Sequence, residues 1–135
     1  MPPSYEKDLI MMSKVGWFDI YVDDMDRAQA FYETVLQTTL QTMDDPNDPS
    51  VRMRAFEDDY HSHGAGGALV QMEHAKPGPG GTAVYFTCED CAVEQGRVLA
   101  AGGSIIRPKF QIGEHGFVSL ASDTEGNMIG FHSRK

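Results

Sequence analysis

Long apolar runs are missing from these 135 residues: no stretch approaches the roughly 20 that a membrane-spanning helix needs. The first residues, Met1 to Lys14, likewise hold no apolar run of the kind a secretory leader carries, so the expected location is cytoplasmic. Cysteine is scarce, with Cys88 and Cys91 as the whole supply, which excludes a disulfide framework. They form a C-x-x-C, but no second such pair exists to complete a zinc site. Glu89 and Asp90 between them raise a thiol pKa, the reverse of what an oxidoreductase motif requires, so both read as reduced packing residues. Basic residues are also few, 11 against 20 acidic ones, for a net charge of −9. Repulsion from phosphates then argues against nucleic acid or an anionic membrane as partner. A cationic ligand is favoured by the same balance, although ordinary cytosolic proteins reach it with no ligand at all. What remains, 41% apolar and 23% charged, is normal globular usage, and 135 residues bury a core unaided.

The most informative feature present is a self-resemblance at an offset of 66 positions. Trp17-Phe18-Asp19-Ile20-Tyr21-Val22-Asp23-Asp24-Met25 aligns with Ala83-Val84-Tyr85-Phe86-Thr87-Cys88-Glu89-Asp90-Cys91. Each half reads as a strand, an acidic turn, a helix opened by Asp, and three further strands. Two similar modules sharing one core, with a site between them, is what such a repeat implies. The boundaries are an N-terminal extension over 1–14, a first module over 15–75, a Pro/Gly linker over 76–81 and a second module over 82–135.

Along the first module, Val15 to Val22 alternates, placing Phe18, Ile20 and Val22 on one face and Trp17, Asp19 and Tyr21 on the other. Asp24 caps the next helix, whose apolar stripe is Ala28, Phe31, Tyr32, Val35 and Leu36. Strands are expected over Thr38–Met43, Val51–Glu57 and Ala68–Glu73, separated by the Asp44–Pro49 turn and the Gly-rich loop after His61. In the second module the strand Thr82–Cys88 leads to a helix capped by Asp90, with Cys91, Val98 and Ala101 as its weaker stripe. Gly102-Gly103 ends that helix. Ser104–Arg107, Gly116–Ser122 and Met128–His132 are the last strands, the final two joined at Asp123-Thr124-Glu125-Gly126-Asn127.

This doubled βαβββ pattern resembles the vicinal oxygen chelate superfamily. The resemblance covers residues 15–134 and is carried by Val22-Asp23-Asp24-Met25-Asp26-Arg27-Ala28-Gln29-Ala30-Phe31-Tyr32 and by Asp123-Thr124-Glu125-Gly126-Asn127-Met128-Ile129-Gly130. Glyoxalase I, extradiol dioxygenases, fosfomycin-resistance enzymes and bleomycin-resistance proteins belong there. The fold it implies is α+β: two tandem βαβββ modules closing into an incomplete barrel with helices outside.

The resemblance also implies a metal held by His, Glu or Gln on the first strand of each module, a later strand of the first, and the last strand. Here those positions fall on Trp17, Ala83 and Gly130, none of which donates to a cation. Gln71 or Glu73 remains for the other strand, and one oxygen ligand does not hold a metal. No metal cofactor is therefore expected at the family position. A relocated site from His115, His132 and Glu114 or Asp19 is the alternative. His61 and His63 read as solvated loop residues, and His74 has no evident partner.

By strand parity, Trp17, Asp19 and Tyr21 line the groove with Ala83, Tyr85 and Thr87, joined by Met128, His132 and His115. That is an aromatic pocket with a few polar anchors, the usual make-up of a small-molecule site. It suits a planar or cationic ligand fixed by Asp19, and Asp19 with His132 is a candidate acid–base pair. The alternative is that the aromatics simply fill the barrel. The resemblance to the bleomycin-resistance branch implies a metal-free, homodimeric binder of a small organic molecule. The runner-up is a lyase or isomerase of glyoxalase type, or a dioxygenase-type enzyme, with a relocated metal.

Overall fold

The computed structural model describes residues 14–56 and 64–135. The described residues divide into two compact units, those within Trp17–Ala83 in one and Val84–Lys135 with residues 14–16 in the other. Among the described residues each unit holds one helix, α1 (Met25–Leu36) and α2 (Cys91–Val98) respectively.

The first unit holds β1 (Val15–Tyr21) from Trp17 onward, β2 (Gln41–Thr42), β3 (Arg52–Ala55) and β4 (Gly66–Gln71), ordered β2-β3-β4-β1. β1 runs parallel to β4, while β3 is antiparallel to β4 and to β2. The second unit holds β5 (Thr82–Thr87) from Val84 onward, β6 (Ser104–Gln111), β7 (Phe117–Ser122) and β8 (Met128–Ser133), ordered β5-β8-β7-β6. There β5 is parallel to β8, and β7 is antiparallel to β8 and β6. The fold is mixed α+β, and the duplication read from the sequence holds strand for strand.

Both predicted caps form. Asp24 accepts the N–H of Arg27 at 3.0 Å, and Asp90 accepts that of Ala92 at 3.0 Å. The core of the first unit gathers Val22, Met25, Leu40 and Leu69, with Ile20, Ala28, Tyr32 and Phe56 packed against them. Phe18 meets the Phe56 ring at 5.6 Å, so Phe18, Ile20 and Val22 share the face that α1 covers.

The predicted α1 stripe needs correction. Ala28 and Tyr32 pack inward, but Phe31, Val35 and Leu36 are 58%, 58% and 55% exposed. The face turned to the sheet carries Met25, Ala28, Gln29, Tyr32 and Glu33, which leaves Phe31 and Val35 beside it, and β2 spans two residues rather than Thr38–Met43. Met25, 1% exposed, supplies the anchor instead. In α2, Ala101 lies past the helix end and is exposed. Gly102 does take the left-handed φ of +99° expected after a helix.

Strand ends also shift. β3 stops at Ala55, with Glu57 outside the described residues, and β4 begins at Gly66 and ends at Gln71. β6 runs on to Gln111 through Pro108, because on an edge strand a missing N–H breaks no ladder. Its register shifts between Ile105 and Arg107 and again between Arg107 and Phe110. The last turn forms as read: Asp123 accepts the N–H groups of Glu125 and Asn127 at 2.8 and 2.9 Å, and Gly126 sits at φ +86°.

Candidate functional site

Parallel pairing sets the site face of each half-sheet. On β1, Trp17, Asp19 and Tyr21 stand in register with Gly66, Ala68 and Val70 of β4, on the face opposite α1. Asp19 and Tyr21 are each 7% exposed and Trp17 is half-buried. The Trp17 indole N–H donates to Asp19 Oδ1 at 2.9 Å. Its six-membered ring lies over Gly66, where an added Cβ would come to 3.1 Å from Cε3 and Cζ3. The indole is thus clamped between a bare backbone and a carboxylate, and it fixes that carboxylate in turn.

The second unit repeats this with different chemistry. Tyr85 is in register with Gly130, and Thr87 with His132. The Tyr85 ring covers Gly130 so closely that a Cβ there would collide with Cδ2 and Cε2. Ala83 is buried, and Met128 shares the face by strand alternation. His132 Nε2–H donates to the backbone carbonyl of His115. His115 ends a 3₁₀ turn, Gly113–His115, with its side chain exposed. The contact between these two residues is therefore ring to backbone, not ring to ring.

Asp19 belongs to the first unit and His132 to the second. His61 and His63 lie outside the described residues.

The metal reading becomes sharper with the register known. β4 aligns with β8 through their pairings, so the residue equivalent to Gly130 is Ala68, beside Asp19. Gln71, offered by sequence as a possible ligand, faces α1 instead and accepts the Met25 N–H at 3.0 Å. Glu73 follows the strand end and is exposed. Trp17, Ala68, Ala83 and Gly130 together provide no donor, so the residues present do not fit the family's cation. Among the described residues no group of three His, Cys, Asp or Glu side chains stands ready to hold a metal.

Two open clefts lie elsewhere in the first unit, of about 340 and 410 Å³. One is bounded by Asp23, Arg52, Gln71, Glu73 and Lys76, the other runs between α1 and the linker beside Tyr21, Arg27 and Tyr32. Neither is lined by Trp17 or Asp19.

The cysteines are both free and buried. Burial pushes the Cys88 thiol up to about 12, helped by the neighbouring Glu94 carboxylate and by Cys91. The carboxylate that adds to burial is thus Glu94, one helical turn beyond Cys91, and not Glu89 or Asp90, which stand nearer in sequence.

Comparison with known proteins places this architecture. Residues 14–131 match the model of the Glyoxalase/Bleomycin resistance protein/Dioxygenase superfamily. The protein CFP32, named as a candidate glyoxylase in Mycobacterium bovis and Mycobacterium tuberculosis, is 32% identical over 116 residues. That match takes in 84% of this chain but 41% of CFP32, so the chain spans less than half its relative's length. Among solved structures, protein BH1468 of Bacillus halodurans superposes with a TM-score of 0.68 at 15% identity, over 90% of this chain and 94% of the other. Methylmalonyl-CoA epimerase of Mycobacterium tuberculosis gives 0.67 at 14% identity, over 90% and 87%. Likeness at that identity speaks to the fold alone. The chain belongs to the glyoxalase, bleomycin-resistance and dioxygenase superfamily.

Proposed function

We propose that this protein binds a small organic molecule, aromatic or cationic, on the strand faces bearing Trp17, Asp19 and Tyr21 and bearing Tyr85, Met128 and His132, without the family metal. The observation that carries the reading is the Trp17–Asp19 pair. An indole occupies the first ligand position, and its N–H orients a buried carboxylate at 2.9 Å. A held carboxylate flanked by aromatic faces suits an ammonium or a hydroxyl on a planar body. Homodimerisation and a cytoplasmic location go with this reading, as do the absence of nucleic-acid and membrane partners.

A second reading draws on the glyoxylase name of CFP32 and on the epimerase among the structural neighbours. It is a lyase or isomerase of glyoxalase type, or a dioxygenase-type enzyme, with a relocated metal near His132 and His115. Asp19 and His132 would then be the acid–base candidates.

Fluorescence separates the two, since Trp17 is the chain's single tryptophan. Binding of an aromatic amine should quench or shift its emission in chelator-treated protein, and Asp19→Asn should weaken that response. If the response needs added divalent metal and disappears in His132→Ala, the metalloenzyme reading replaces the first.

A further inference from the structure

The repeat supplies its own control for the outward faces of the two helices. At the offset of 66, Arg27, Ala30, Phe31, Thr34 and Val35 of the first module correspond to Val93, Gly96, Arg97, Ala100 and Ala101 of the second. All of them are exposed. In α2 the base, Arg97, stands in the last turn, where it meets the partial negative charge of its own helix end. In α1 the base sits in the first turn, as Arg27, and the last turn holds none. Phe31 takes the place of Arg97. Arg27 is thus at the unfavourable end of its own dipole, and among the described residues its guanidinium enters no ion pair, unlike those of Arg52 and Arg54.

The α1 strip also carries no acid. The two carboxylates of the helix are engaged to its sides: Asp26 pairs with Arg52 at 3.5 Å, and Glu33 accepts from Gln29 and from the Leu40 N–H at 3.2 and 2.8 Å. On a chain of net charge −9, a surface free of negative charge is where a second copy meets least repulsion. Phe31 at its centre is 58% exposed, yet its ring meets Tyr32 edge-on at 5.1 Å, and Tyr32 meets Phe56 at 5.8 Å. A large ring ordered from the core in this way loses little freedom on docking, as an interface anchor requires.

We infer that this strip is a self-docking surface, at which a second copy of the chain lays its own α1 antiparallel about a two-fold axis near Phe31. Ala30 and Thr34 are small enough to let the two helices approach. Antiparallel pairing sets each Arg27 beside the last turn of the partner's α1, so each copy supplies the base that the other lacks. Such an interface is the same patch on both copies and closes at two. One pair of helices buries little area, so the association is of the weak, reversible class. The inference rests on the binding reading above only for the homodimer that reading includes, and it gives that homodimer a face.

Sedimentation velocity of the full chain from about 1 µM to about 1 mM tests this. The expected result is a monomer at the low end and a dimer at the high end. Phe31→Glu, Val35→Glu and Arg27→Glu should each weaken association at least tenfold, with circular dichroism unchanged because all three side chains are exposed. Arg97→Glu on α2 should leave it as it was. A dimer that survives Phe31→Glu and Val35→Glu together overturns the inference and moves the homodimer to another face. A chain that stays monomeric throughout also overturns it; a melting temperature lowered by Val35→Glu would then name the chain's own residues 1–13 as the cover. Trp17 fluorescence reads ligand binding separately, so a ligand response from a chain that never dimerises ends this inference and leaves the proposed binding standing.

Discussion

Gln71 Oε1 accepts the first helical N–H of α1, that of Met25, at 3.0 Å. In the second unit Ser133 Oγ accepts the first helical N–H of α2, that of Cys91, at 2.9 Å. Helix starts leave such donors without intrahelical partners, and here the last strand of each module satisfies one. The backbone repeats it: Val22 N–H donates to the Val70 carbonyl and Cys88 N–H to that of His132. The duplication thus extends to individual hydrogen bonds, although the side chains making them differ.

Removing either acceptor should be felt. Gln71→Ala should cost about 1 kcal/mol and Ser133→Ala about 1–2 kcal/mol, the latter more because Ser133 is itself buried whereas Gln71 is half-exposed to water. Urea denaturation followed by circular dichroism measures both. Unchanged midpoints would mean that water replaces the lost oxygen.

Gly130→Ala should destabilise by about 1–3 kcal/mol, since the new methyl meets the Tyr85 ring. Tyr85→Ala should relieve it, so the double variant should be no less stable than Tyr85→Ala alone. A double-mutant cycle with zero coupling would show that the ring does not rest on this glycine.

Trp17→Phe keeps a ring over Gly66 but removes the donor to Asp19. Losing a hydrogen bond to a buried carboxylate should cost about 1.5–3 kcal/mol, and Asp19→Asn in the Phe background should recover part of it. Thermal melts by circular dichroism supply the comparison.

The pH dependence has opposite signs at the two ends. Hydrogen bonds from Asn127 first, then Glu125, hold the Asp123 carboxyl below its ordinary value. The stability it contributes is complete above the unfolded pKa and is lost as pH falls through the lower folded one. Cys88 works the other way. An unfolded thiol ionises near 9, whereas the folded one holds its proton to about 12. Across that window the unfolded state binds fewer protons, so stability should fall as pH rises from 9 to 12. Cys88→Val should flatten this alkaline limb and leave the acid limb untouched; Asp123→Ala should do the reverse.

Strand parity, both Asp caps and the Asp123–Asn127 turn were legible because each is set by local chemistry within a few residues. Alternation alone put Phe18, Ile20 and Val22 under the helix and Trp17, Asp19 and Tyr21 on the other face. The exposure of Phe31, Val35 and Leu36 was not legible, because an apolar stripe marks the greasy side of a helix, whereas the face packed here runs through Gln29 and Glu33, whose side chains bond each other and the Leu40 N–H. Gln71 looked like a ligand because its role depends on Met25, 46 residues away. Glu94 was missed as the partner of Cys88 for a similar reason: nearer carboxylates in sequence drew the attribution. The absence of donors at Trp17, Ala83 and Gly130 was visible from residue types alone, and pairing then added Ala68.

The outer strand of the second half-sheet has a consequence for behaviour at high concentration. An exposed edge invites a neighbouring chain to add itself, the first step toward fibrils. β6 breaks its register twice, includes Pro108, and is pinned by Lys109, whose Nζ lies 2.8 Å from Asp90 and 4.8 Å from the Phe117 ring centroid. Such a kinked, charged border offers an incoming strand no continuous run of donors and acceptors. Pro108→Val would give that border one more backbone donor, and seeded thioflavin-T assays at high concentration should then show a shorter lag.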